Sequence, residues 1–269
     1  VPQPVSGPKS REAAASFADH FSQPRLFWLS LTATEQDHVV AAYTFELGRC
    51  YEQPVRERQV AALARIDVVL AERVAQGLGL AAPEAVGTAD VRPSPALSQI
   101  GGEWPVEGRT VGVVVEPDTD LAELAEVRLA IDSAGMVPLV IAPTGGTLAA
   151  GGPPVQRTLL TARSVEFDVL LLAGSPTGGE DPQAGADARA LDPAGAATSM
   201  QSDPRLQLLV AEAFRHGKAI GAWGRGTAVL EAATATGAGV VVGDDPVAVV
   251  DEVLALLGGH RVWERLATS

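Results

Sequence analysis

The segment AIGAWGRGTAVLEAA (219–233) has the pattern of a buried strand that enters a glycine-rich turn and continues as a helix. In enzymes this element is a nucleophile elbow, which displays Ser or Cys at the tip of the turn. Here Gly224 stands at the tip, between Trp223 and Arg225. Glycine has neither a hydroxyl nor a thiol, so no covalent acyl intermediate can form there. As an alternative, the Gly-Arg-Gly turn could bind a phosphate at the helix N-terminus, for which a lone Gly-x-Gly is a weak signal.

Glu123 is the second candidate for chemistry, near the start of the first helix predicted for the same half of the chain. An acid at this point could activate a nucleophile across the edge of a sheet. With Gly224 at the turn there is no nucleophile to activate. We therefore interpret Glu123 as an acidic residue favoured by the helix dipole.

The histidines and the cysteine do not have the spacing of a metal or redox site. The histidines are far apart, without HxH or HxxxH spacing, so we predict no metal site. They are His20, His38, His216 and His260. Cys50 has no CxxC partner and no nearby histidine, which favours an unreactive thiol.

The two tyrosines, Tyr43 and Tyr51, are the only residues that could supply a tyrosinate ligand to haem. Such a ligand needs a nearby cation to stay ionised. The residues one helical turn before them are Val39 and Leu47, not arginine. We therefore interpret both tyrosines as packing residues and predict no haem binding by this chain.

Composition limits the partners. The net charge is −13, and both halves of the chain are acidic. Nucleic-acid backbones and anionic membrane surfaces are therefore poor partners. One cysteine cannot form an internal disulfide, which fits a reducing compartment. The first residues lack an apolar signal core, and no apolar run approaches the roughly 20 residues that span a bilayer. We expect a cytoplasmic protein.

The chain divides into four parts by its sequence pattern. Residues 1–22 carry Pro and Gly breakers and predict an extended lead-in. Residues 23–80 predict a small all-α helical module, in which Thr32 with Glu35 forms a capping box and Asp67 caps a later helix. The apolar residues 26–28 are expected to pack on a neighbouring helix or on another domain. Residues 81–108 predict a linker.

Residues 109–269 predict an α/β domain with a doubly wound parallel sheet. The strand candidates are residues 111–115, 137–142, 167–174, 219–223 and 240–243. Most of these runs are apolar on both faces, as in a parallel sheet covered by helices. Helical patterns alternate with them at residues 121–135, 204–216, 226–237 and 246–257. Residues 174–203 are rich in Gly, Pro, Ala, Asp and Ser and predict a surface loop, which is either a lid or a tolerated insertion.

Three segments carry a specific resemblance to one family. SFADHFSQPRLFWLSLTATEQDHVVAAYTFELGRC (16–50), PVRERQVAALARIDVVLAERVAQGLGL (54–80) and GGHRVWERL (258–266) resemble the sequence that follows the barrel in large-subunit haem catalases. The similarity covers nearly the whole chain and is thinnest over residues 81–108 and 174–203.

The resemblance implies a flavodoxin-like C-terminal domain, related to PfpI-type proteins and class I glutamine amidotransferases. In the active relatives the elbow carries Cys and the first helix region carries an acid, which correspond here to Gly224 and Glu123. Both positions are therefore vestigial, and no residue of this chain is assigned as catalytic, cofactor-binding or metal-binding. Catalase chemistry requires a distal His and Asn and a proximal Tyr preceded by Arg, all of which lie in the barrel.

The function implied is that of a non-catalytic region of a haem catalase. In the whole enzyme, which dismutates hydrogen peroxide, it would support folding, subunit assembly and access to the haem channel. Its partners would be the barrel and neighbouring subunits of a homotetramer. Two alternatives remain: a chaperone-like binding module, suggested by the acidic surface and the long loop, and a residual PfpI-type enzyme, disfavoured by Gly224.

Overall fold

The computed structural model describes residues 13–174 and 200–266, together with Pro4, residues 6–8 and Arg11. The chain forms two compact units, residues 1–98 and 99–269. This division falls inside the segment predicted as a linker, 81–108, in which a short 3-10 helix forms at Pro95–Leu97. The boundaries at residues 22, 80 and 108 remain predictions.

The first unit is all-helical. A 3-10 helix at Ala15–Ala18 precedes α1 (Ser22–Ser30), α2 (Ala33–Gly48), α3 (Gln53–Ala64) and α4 (Val68–Leu78). Helical structure thus begins inside the predicted extended lead-in. A local reason is Asp19, whose carboxylate accepts the N–H groups of Phe21 and Ser22 at the start of α1.

Local capping signals place two of these helices. Thr32 accepts the N–H of Glu35 while the Glu35 carboxylate accepts the N–H of Thr32, which is a reciprocal capping box. Asp67 accepts the N–H groups of Val69 and Leu70 at the start of α4. Gly79 ends α4 in the left-handed conformation that glycine adopts without strain.

The core of the helical unit lies between α1, α3 and α4. Trp28 is 4% exposed and packs with Leu63, Leu70 and Val74. The expectation that residues 26–28 pack as one cluster is therefore only partly right. Trp28 is ordinary core of this unit, whereas the neighbouring Phe27 is 55% exposed.

The second unit is the predicted doubly wound, flavodoxin-like α/β domain. In chain order its elements are β1 (Thr110–Val114), α5 (Leu121–Ser133), β2 (Val137–Ala142), β3 (Gly146–Thr147), β4 (Pro154–Val155), β5 (Arg157–Thr158), β6 (Val169–Leu172), α6 (Pro204–Arg215), β7 (Ala219–Ala222), α7 (Gly226–Ala232), β8 (Val240–Val242), α8 (Pro246–Leu256) and α9 (Trp263–Leu266).

The main sheet has the order β5-β2-β1-β6-β7-β8, and every pair in it is parallel. Without the two-residue edge strand β5, this is the flavodoxin-like order in which the first strand lies between the second and the third. The antiparallel β3–β4 hairpin follows β2 and has no counterpart among the predicted elements.

Alternate residues of the strands enter two separate cores, which is why the strand runs are apolar on both faces. Val113 and Leu171 pack with α5 and α8 on one face of the sheet. Val114 and Leu172 pack with α6 and α7 on the other. The domain therefore has three layers, with a helix layer on each side of the sheet.

Two predicted segments differ from the structure. The helix predicted over residues 226–237 ends at Ala232, because Thr234 has a positive φ of 56° that breaks the helical path. Of the predicted loop 174–203, residues 175–199 lie outside the described part of the chain. Met200–Ser202 form a 3-10 helix, and Met200 is buried in the core beside α6 and α7.

Lys218 is a buried charge at the amino end of β7. It is 6% exposed, and its ammonium group donates to the carbonyl oxygens of Phe167, at 2.5 Å, and of Ser164. Burial, assisted by the neighbouring Arg261, lowers the pKa of Lys218 to about 8.

Candidate functional site

The candidate site lies at the carboxyl edge of the sheet, around the ends of β1, β6 and β7. The strands β1 and β6 are neighbours, and the chain continues from β1 to β2 on one side of them and from β6 to β7 on the other. In open α/β sheets the crevice outside the strands at such a switch point is the usual ligand site.

The turn from β7 into α7 has the sharp geometry expected of an elbow. Gly224 has a φ of 52°, in the left-handed region that glycine enters without the strain other residues meet. The Gly226 N–H donates to the Trp223 carbonyl oxygen at 3.0 Å. The Thr227 hydroxyl donates to the Gly224 carbonyl oxygen at 2.9 Å. The turn is therefore closed by its own backbone and one hydroxyl.

Two other glycines bring the turn against the end of β6. A Cβ added to Gly226 would lie 2.1 Å from the Leu172 carbonyl oxygen. A Cβ added to Gly174 would lie 2.3 Å from the Gly226 nitrogen. Both contacts are with backbone atoms, which cannot swing aside as a side chain can. The elbow shape thus depends on Gly174 and Gly226.

Glu123 lies beside the turn and is already engaged. The Trp223 indole nitrogen donates to the Glu123 carboxylate at 2.7 Å, although the two residues are far apart in sequence. Trp223 is 2% exposed, and its ring belongs to the core between the sheet, α5 and α8. Glu123 therefore anchors the indole, in addition to its favourable place in the first turn of α5.

Arg225, the exposed residue after the tip, forms ion pairs with Glu116 and Asp118 from the loop that follows β1. Each oxygen–nitrogen distance is 2.6 Å. The hydrogen bond to Asp118 raises the pKa of Arg225. Burial raises the pKa of Glu116, and the Arg225 charge opposes that effect. These contacts tie the tip of the elbow to the end of β1.

The ion pairs bear on the phosphate alternative. The Arg225 guanidinium faces two carboxylates, which neutralise the charge that a phosphate would need. The helix that follows the turn has seven residues. The geometry therefore gives the phosphate alternative no support.

Sequence reasoning identified Glu123 and Gly224, and the structure brings them together through Trp223. It missed Glu116 and Asp118. Their position after a buried strand of a doubly wound sheet was the available signal, because the carboxyl ends of neighbouring parallel strands share one edge.

The other candidates lie in the helical unit. Tyr43 packs against the core of that unit, as predicted. Tyr51 is 96% exposed, so its interpretation as a packing residue is wrong. Tyr51 lies after the end of α2, and its position in the sequence does not reveal that its side chain is exposed. Cys50 is a partly exposed free thiol. Within the described ranges, no group of three or more His, Cys, Asp or Glu residues could hold a metal ion.

Two known protein families match parts of this chain. Residues 107–267 match the sequence model of the C-terminal domain found in long catalases. The chain belongs to this family. Residues 14–78 also match the catalase-related immune-responsive family, so the two matches cover the helical unit and the α/β domain of the long-catalase region.

Individual relatives agree with the family match. The chain is 36% identical to catalase HPII of Pseudomonas aeruginosa over 99% of its length, and 34% identical to catalase HPII of Pseudomonas putida over 98%. It is 30% identical to catalase-2 of Bacillus subtilis over 97%. In each case it spans 36% of the relative's length. The similarity to long catalases is thus confirmed and concerns their C-terminal part.

No helix in the described part of the chain has the length and apolar character needed to cross a membrane.

Proposed function

We propose that this chain is the non-catalytic C-terminal region of a haem catalase that dismutates hydrogen peroxide to water and oxygen. The observation that carries the proposal is the elbow. Gly224 supplies no nucleophile, Trp223 engages the Glu123 carboxylate, and Arg225 is paired with two acids. Among the described residues at the elbow, each group that could take part in PfpI-type chemistry is therefore absent or bonded within the fold.

The residues present do not fit a haem ligand set. Tyr43 is part of the helical core, and Tyr51 stands almost fully in solvent without a pocket around it. A tyrosinate ligand requires a nearby cation that holds the phenol ionised, and no arginine pairs with either ring among the described residues. In this proposal, haem and its ligands belong to the barrel of the whole enzyme and not to this chain.

The role of the region in that enzyme is folding, subunit assembly and control of access to the haem channel. Its partners are the catalase barrel and the neighbouring subunits of a homotetramer in the cytoplasm. The support is the match of nearly the whole chain to the long-catalase C-terminal region. The net charge of −13 disfavours nucleic-acid and anionic membrane partners.

The test combines this chain with the barrel portion of a long catalase that lacks its own C-terminal region. We expect the chain to bind the barrel and raise its thermal midpoint, while peroxide turnover per haem stays within about twofold of the barrel alone. As a control, the chain alone with hemin should show neither a stoichiometric Soret band nor oxygen release. Haem-dependent oxygen release by the chain alone would refute the proposal.

A chaperone-like binding module is the second candidate, and one observation favours it. The helical unit exposes several aromatic rings: Phe17 (79%), Phe27 (55%) and Phe45 (59%), besides Tyr51. Suppression of aggregation of a heat-denatured client by substoichiometric chain would favour this function. Loss of that effect in Phe17→Ser and Phe45→Ser would assign it to these rings.

A further inference from the structure

A cleft of about 400 Å³ lies on the helical unit, between α3 and the segment of chain that follows α4. Glu57 and Ala61 belong to one wall, at a spacing of four residues that places them on one face of α3. Leu80, Pro83 and Val86 belong to the other wall. Val86 is 45% exposed, so part of this apolar lining is in contact with water.

The wall that follows α4 is held in place at both ends. Leu80 packs on the core of the helical unit, and its N–H donates to the Ala75 carbonyl oxygen at 2.9 Å. Further along the chain, the Ser94 N–H donates to the Ser30 hydroxyl on α1 at 2.9 Å. A ligand therefore meets a cleft that is already formed, which lowers the entropic cost of binding.

Glu57 and Glu84 are the only charged residues among those of the described chain that line the cleft, one on each wall. Both are exposed, so a ligand in the cleft can reach their carboxylates. One oxygen of Glu57 accepts a hydrogen bond from the neutral Gln53 side-chain amide at 2.7 Å. Neither carboxylate forms an ion pair with a cation of the described residues, so both charges remain uncompensated.

This arrangement defines the chemistry of a ligand. The apolar surface between the two acids favours a methylene chain, which gains free energy when it leaves water. A carboxylate on each wall favours a positive charge at each end of that chain. A ligand with one cationic end would satisfy only one wall.

We propose that this cleft binds an aliphatic diamine. One ammonium group lies beside Glu57, the other lies beside Glu84, and the methylene chain contacts Pro83 and Val86. The proposal is independent of the catalase role, because it rests only on residues of the helical unit.

The test is calorimetric titration of the full chain with hexamethylenediamine, hexylamine and trimethylenediamine, each up to about 20 mM because ligands of this size commonly bind in the millimolar range. We expect one hexamethylenediamine per chain, bound about threefold to fivefold more tightly than hexylamine, which lacks the second ammonium group. Trimethylenediamine has the same charge and three fewer methylenes, and it should bind at least about fivefold more weakly than hexamethylenediamine. Equal binding of the two diamines would overturn the apolar contact.

Variants separate this site from general attraction to an acidic protein. Glu57→Gln and Glu84→Gln should each weaken hexamethylenediamine binding about threefold, to the level of hexylamine. Val86→Ser should also weaken it, because it makes the exposed wall polar without removing a charge. Glu72→Gln is the matched control, at an exposed acid on α4 that does not line the cleft, and it should leave binding unchanged.

Three results would overturn the proposal. The first is that hexamethylenediamine does not bind saturably, or binds no more tightly than hexylamine. The second is that Glu72→Gln weakens binding as much as Glu57→Gln and Glu84→Gln do, which would indicate attraction to net charge only. The third is that a tetralysine peptide depends on Glu57 and Glu84 as strongly as the diamine does, which would assign the cleft to a basic polypeptide segment.

Discussion

Gly226→Ala should destabilise the α/β domain, although the same exchange in a helix ordinarily stabilises. Replacing glycine by alanine in a helix gains up to about 1 kcal/mol. At Gly226 the new Cβ would lie 2.1 Å from the Leu172 carbonyl oxygen, far inside a normal contact distance. Overpacking costs about 1–3 kcal/mol where side chains can yield, and here the obstacle is backbone. We expect a net loss of about 2 kcal/mol or more in the free energy of unfolding.

Urea and thermal denaturation followed by circular dichroism measure this effect. For a unit of this size the loss corresponds to a fall of about 4–8 °C in the thermal midpoint. Gly258→Ala is the control in the same unit, because its Cβ would meet no atom within 4 Å. It should leave the midpoint unchanged or raise it. A Gly226→Ala variant as stable as the wild type would refute the close contact between the elbow and β6.

Three further predictions concern the same unit. Gly224→Cys in a Cys50→Ser background should fold at a cost of about 1 kcal/mol in stability, because the new residue must keep the positive φ of Gly224. The pKa of its thiol should lie below about 8.5, because the helix N-terminus stabilises the thiolate. The rate of reaction with iodoacetamide, measured against pH, gives this pKa, and an ordinary thiol pKa would show that the turn does not stabilise a thiolate. Burial lowers the pKa of Lys218 to about 8 in the folded chain, from its usual 10.5. Between these two values the unfolded chain binds more protons than the folded chain does. The free energy of unfolding should therefore rise with pH in this window. Urea denaturation across this pH window should show a smaller rise in the free energy of unfolding for Lys218→Met than for the wild type. Equal slopes against pH in the two proteins would contradict the lowered pKa of Lys218. A chain that begins at Glu107 should unfold cooperatively, because its sheet carries a core on both faces; a non-cooperative transition would show that the two units share one core.

Structure that depends on neighbouring residues was predictable from the sequence, whereas contacts between residues far apart in the chain were not. The capping box of Thr32 and Glu35 and the cap at Asp67 depend on residues within one helical turn, so the sequence displays them directly. The parallel sheet followed from apolar runs separated by helical patterns. The β3–β4 hairpin was missed because its strands have two residues each, too few for a periodic pattern.

The candidate site shows the same limit. Gly224 was identifiable from the Gly-rich turn, and Glu123 from its place near the start of the first predicted helix of the α/β domain. The bond between Trp223 and Glu123 joins residues about 100 positions apart, and the pairs of Arg225 with the loop after β1 are equally distant. Such contacts depend on strand order and register, which a single sequence specifies only through the completed fold.

Gly174 and Gly226 hold the elbow against β6, so the shape of the turn does not depend on which residue stands at its tip. Gly174 and Gly226 are required by packing whatever residue stands at position 224. Mutation can therefore alter the tip while selection for stability alone maintains the surrounding backbone. The α/β domain thus has a turn at which a single substitution at position 224 can place a nucleophile, and that nucleophile would find the nearby acids already bonded to Trp223 and Arg225.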